Sequence, residues 1–115
     1  MKSIRLPLAI CLAGLGASAG ASVPLLYEEV FARHEEQRIL HSPIAGIQNS
    51  LWFDYRINVT EAQKELASDL GRASDIEDQR DAWEEYGSEL RKERVHYVKK
   101  MAKRGYRDGS VIVGD

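Results

Sequence analysis

Between Ile44 and Met101 the apolar residues recur every three or four positions, and that spacing commits most of the chain to helix. Ile44, Ile47, Leu51, Tyr55, Val59, Ala62, Leu66 and Leu70 make a first stripe. Ile76, Trp83, Tyr86 or Gly87, Leu90, Tyr97, Val98 and Met101 make a second, with Arg80 and Arg94 standing at steps where apolar side chains would otherwise fall. Trp52, Phe53 and Ile57 lie off the first stripe. The start of that helix is therefore apolar on more than one face: it is either sandwiched between two neighbours or carries an exposed patch for a partner.

Punctuation divides the pattern into helices over 24–41, 43–70 and 75–104. Ser22-Val23-Pro24 opens the first, whose apolar groups are Leu26, Val30, Phe31, Ile39 and Leu40, with a solvated run from Arg33 to Arg38 between them. Ser42-Pro43 starts the second as N-cap and first-turn proline. Gly71 ends it, and Ser74-Asp75-Ile76-Glu77 reads as a capping box for the third, which Gly105 terminates. A competing reading runs one helix from Pro43 to Arg104, because a single glycine costs a helix only about 1 kcal/mol. Such a helix would be about 90 Å long.

Residues 1–21 read as a cleaved export signal. Lys2 and Arg5 precede an apolar segment from Leu6 to Ala17, and Ala17-Ser18-Ala19 and Ala19-Gly20-Ala21 both fit small-x-small cleavage. A spanning helix needs roughly 20 apolar residues, more than this segment holds, and Pro7 and the glycines at 14, 16 and 20 interrupt it. Removing 1–21 leaves 94 residues without cysteine, since Cys11 is the only one. A cysteine-free exported domain of that size points to the bacterial periplasm, otherwise to secretion, with helical packing replacing covalent staples.

The remaining chain carries 14 basic and 18 acidic side chains, which argues against general nucleic-acid binding. The charges are segregated. From Glu61 to Glu89 ten acids face Lys64, Arg72 and Arg80; from Arg91 to Arg107 eight bases face only Glu93. This order complements the macrodipole of the last helix. It also makes Lys99, Lys100, Lys103, Arg104 and Arg107 a candidate docking patch for an acidic protein or an anionic envelope surface, or for a second copy lying antiparallel. Trp52, Phe53 and Ile57 are the matching apolar candidates.

Catalytic and ligand signatures are lacking: no nucleophile elbow, phosphate-cradling glycine loop or His-Glu-x-x-His is present. His34 and His41 stand seven apart with no carboxylate or histidine at the chelating i±4 positions, and His96 is remote. No catalytic residue, cofactor or metal site is expected. In the tail 106–115, Asp108-Gly109 is a turn signal, and Val111-Ile112-Val113 is a β-branched segment that packs on the bundle, stays loose, or adds to a partner's sheet edge.

Asn58-Val59-Thr60-Glu61-Ala62-Gln63-Lys64 resembles the Leu-Thr-x-x-Gln motif of the Spy- and CpxP-type periplasmic chaperones, over seven residues, in one copy and with valine in the leucine position. Gln79 with Trp83-x-x-Tyr86 is similar to the helical LprI-type lysozyme inhibitors, without their cysteines. These likenesses imply exported, all-helical proteins that bind other proteins, and they carry no functional residue onto this chain.

The expected fold is all-α, an antiparallel hairpin or three-helix bundle, coiled-coil-like, after a cleaved signal peptide. The expected function is a non-enzymatic exported interaction protein: an accessory subunit or inhibitor docking a specific envelope protein, or self-associating. A general periplasmic chaperone is the first alternative. A coiled-coil spacer is the second, and it depends on the continuous helix.

Overall fold

The computed structural model describes residues 25–107; residues 1–21, expected to be an export signal, the Ser22–Pro24 start and the Val111–Val113 segment lie outside them. Among the described residues there are three α-helices, α1 (Tyr27–Glu36), α2 (Ser50–Arg72) and α3 (Ile76–Lys103), and a 3-10 turn at Ile44–Gly46. The described residues contain no strand, and none of their helices is long and apolar enough to cross a membrane.

α3 is the spine on which both other helices pack. α2 runs antiparallel to it, so Asn49 reaches Met101 at 3.5 Å and Asn58 reaches Glu93 at 2.9 Å. α1 runs parallel to α3: Glu28 pairs with Arg80, and seven residues on Glu35 pairs with Arg94. The order is up, down, up. The core holds Ala32, Ile44, Trp52, Tyr55, Val59, Ala62, Trp83, Tyr86, Leu90, Tyr97, Val98 and Met101. Both stripes therefore face inward, except at Ile76, which is 59% exposed in the first turn of α3.

The chain reverses between α2 and α3, so the continuous helix does not form and the spacer reading loses its premise. The break lies later than Gly71, which stays helical with nothing within 4 Å of its would-be Cβ. Extended Ala73 ends α2, and Asp75 caps α3, its carboxylate accepting from the Asp78 amide at 2.8 Å. Ser74, the expected cap, sits one residue outside and donates its amide and hydroxyl to the Asp78 carboxylate. Asp75 thus takes the capping role one residue later than expected, and the Asp78 carboxylate reaches back past it to Ser74.

Two further boundaries differ from expectation. α1 stops at Glu36, and Ile39 and Leu40 pack on the core from the connection instead. Pro43 is extended and opens only the 3-10 turn; Ala45 and Gly46, with φ of 56° and 71°, break the helical path. α2 begins at Ser50, where the Asn49 side chain accepts from the Trp52 amide at 3.1 Å. Two core hydroxyls hold the connection down. Leu40 donates its amide to Tyr55 Oη at 2.9 Å, and Ile44 donates to Tyr97 Oη at 3.0 Å. The Tyr55 and Tyr97 rings stack 5.0 Å apart, with the Trp52 ring 5.7 Å from Tyr97.

Gly87 sets the approach of α1. A Cβ there would lie 2.7 Å from the Phe31 ring and 3.2 Å from the Ala32 Cα. Alanine gains about 1 kcal/mol of helix propensity, but overpacking costs typically 1–3 kcal/mol, and here part of the obstacle is backbone. Gly87→Ala is expected to lower unfolding stability by about 1 kcal/mol. A more stable variant in chemical denaturation would show that the contact yields freely.

Candidate docking surface

Trp52 and Phe53 part company in the structure. Trp52 is buried against Tyr55 and Tyr97, so it supports the fold and offers no free surface, contrary to its place among the candidate partner-binding residues. Phe53 and Ile57 are 48% and 58% exposed on the outer face of α2, one turn apart. Arg56, Thr60, Glu61 and Lys64 join them in lining a shallow groove of about 350 Å³. The Arg56 guanidinium lies 5.8 Å from the Trp52 ring. Sequence reading missed the groove's polar half. Its signal is the 53, 57, 60, 64 spacing, a second helical stripe mixing apolar and polar residues opposite the first.

Lys99, Lys100, Lys103, Arg104 and Arg107 are all exposed. None forms an ion pair among the described residues. Antiparallel pairing of α2 and α3 places this basic run at the same end of the bundle as Asn49 and Phe53. The opposite end, around the α2–α3 turn, gathers Asp69, Asp75, Glu77, Asp78, Asp81 and Glu85. The linear charge gradient thus becomes an axial one.

At the acidic end, oxygens of Glu65, Asp69 and Glu85 lie within 4.8 Å of one another. These are hard donors, but Arg72 already holds Asp69 at 2.6 Å, and two of the three carboxylates are exposed. His34, His41 and His96 are exposed and join no such group among the described residues. At the start of α1 the hydrogen bond from Arg80 holds the Glu28 carboxyl below its ordinary range and pushes the Arg80 guanidinium up.

Among the described residues the one charged pair that is buried lies away from the surface patches. Arg94 on α3 and Glu35 on α1 bond through Nη1 and Oε1, with side chains 4% and 5% exposed. Glu35 had been expected in a solvated run, and burial corrects that. The signal was Arg94 itself, a cation in an apolar stripe that requires an acid from another element.

In the seven-residue chaperone-like segment, Val59 is buried while Thr60 and Gln63 are exposed on α2. No protein-family model matches this chain, and no curated protein or solved structure matches it either.

Proposed function

We propose that this chain is a non-enzymatic, exported helical interaction protein, an accessory subunit or inhibitor that docks a specific envelope protein through the outer face of α2. The observation that carries the reading is the exposed Phe53–Ile57 pair. Leaving two large apolar side chains in water forgoes roughly 1.5–3 kcal/mol each relative to full burial, although Trp52 and Tyr55 on the same helix fill the core. An apolar pair rimmed by Arg56, Glu61 and Lys64 has the make-up of an interface anchor with a polar border.

Crosslinked pull-down of the tagged chain from its native envelope tests this against Phe53→Ser/Ile57→Ser. The parent is expected to recover one near-stoichiometric protein, and the double variant to lose it at least tenfold while melting within a few degrees of the parent. Equal recovery by the variant would remove the α2 face from the reading. A spread of substoichiometric clients would replace the dedicated subunit with the chaperone alternative.

A further inference from the structure

We propose that the basic end of the bundle docks on an anionic phospholipid surface, a second surface distinct from the α2 groove. Lys99, Lys100 and Lys103 fall within roughly 6 Å along the α3 axis, and all are exposed. Arg104 follows at once. Gly105, at φ 91°, then turns the chain so that the Tyr106 amide bonds the Met101 carbonyl at 2.9 Å and the Tyr106 ring packs on the core. The cations therefore stand on a fixed platform, with Arg107 beside it. Met101 and Tyr97 anchor that platform from beneath, at 0% and 1% exposure.

The chemistry of the patch selects its partner. Three of the five cations are lysines, which protein interfaces deplete at their cores while favouring arginine and aromatic groups. Lysine is a compact, strongly hydrated point charge on a flexible stem, suited to a diffuse field of headgroup phosphates. The five form no ion pair among the described residues, so binding breaks none there. Axial segregation supplies the orientation: the carboxylates of the α2–α3 turn lie at the far end, where a negative surface repels them least. Docking is end-on, basic end down.

Each such cation near an anionic leaflet is worth roughly fivefold in partitioning. The test measures co-sedimentation of the full chain with phosphatidylcholine vesicles and with vesicles in which part of that lipid is replaced by phosphatidylglycerol. The readout is the ratio of the two affinities, so that any attraction of residues 1–21 to lipid is common to every variant. The parent is expected to prefer the anionic vesicles and to lose that preference in molar salt. Lys99→Gln/Lys103→Gln is expected to cut it about 25-fold, with Lys64→Gln, away from the patch, leaving it unchanged. No preference in the parent, or full preference in the double variant, would overturn the proposal. If Lys99→Gln/Lys103→Gln instead loses a protein in pull-down and keeps its lipid preference, the patch faces an acidic protein and the lipid assignment is wrong. Phe53→Ser/Ile57→Ser should leave vesicle binding intact, so the two surfaces can fail separately.

Discussion

Glu35→Ala is expected to destabilise the protein by about 3–5 kcal/mol, measured by urea denaturation at fixed pH. The reasoning starts from burial. Both side chains of the Glu35–Arg94 pair are almost wholly covered, and they join α1 to α3. Arg38 approaches Glu35 only at 4.0 Å and is half exposed, so solvent screens it. Removing the carboxylate strands the guanidinium in the core, where Nε and Nη2 of Arg94 already find no hydrogen-bond partner among the described residues. That incomplete satisfaction decides the second half of the prediction. A buried pair pays heavy desolvation, and one with two donors unmet recovers little of it. Glu35→Leu combined with Arg94→Met should therefore restore most of the loss and can exceed the parent. If Glu35→Ala costs less than about 1 kcal/mol, or if the double replacement is as damaging as the single, the pair does not hold α1 in the way described.

The same pair shows what the sequence made legible and what it did not. The helical stripes were readable because they repeat: each of Tyr55, Val59, Ala62, Trp83, Leu90, Tyr97 and Met101 is buried where the spacing put it. Arg94 was visible as an interruption, yet its partner was hidden, because Glu35 lies 59 residues away in a run rich in charge. Ala32, fully buried beside Gly87, was equally hidden; close approach of two helices depends on what faces a small residue, which periodicity does not encode. Boundaries slipped where two caps competed. Ser74 and Asp75 are both capable N-caps, and Pro43 and Asn49 both announce a helix start; tertiary anchoring of the 37–49 connection by Tyr55 and Tyr97 chose the later start. Of the candidate site, Phe53 and Ile57 share a spacing that Trp52 does not, while the contact of Trp52 with Tyr97 on α3 joins residues far apart in the chain and is invisible to that spacing.

Those two tyrosines, with Tyr86, lead to the other large effect: above pH ~10 the fold is expected to lose stability as pH rises. All three phenols are buried, and burial pushes each above its ordinary value. For Tyr55 and Tyr97 the amides of Leu40 and Ile44 pull the other way by donating to the oxygen, and burial outweighs them. Tyr86 is pushed furthest by its surroundings, because its hydroxyl also donates to Glu36 at 2.6 Å and ionisation would set two negative charges side by side. The sign follows from proton counting. Below the unfolded tyrosine pKa of about 10 both states hold the proton and the native contacts count in full. As pH rises past it, the unfolded chain sheds protons that the folded one keeps, so stability falls by about 1.4 kcal/mol per pH unit for each group. The three contributions add, each continuing only until pH passes that phenol's own raised value in the fold, and Tyr86, pushed furthest, contributes longest. Helical circular dichroism and tyrosinate absorbance should change together, since ionisation requires opening. Tyr86→Phe should reduce the slope by about a third. Phenols that ionise one after another near pH ~10 with the helix signal intact would mean that water reaches them in the folded state, and the stacked Tyr55–Tyr97 core that anchors the connection would have to be abandoned.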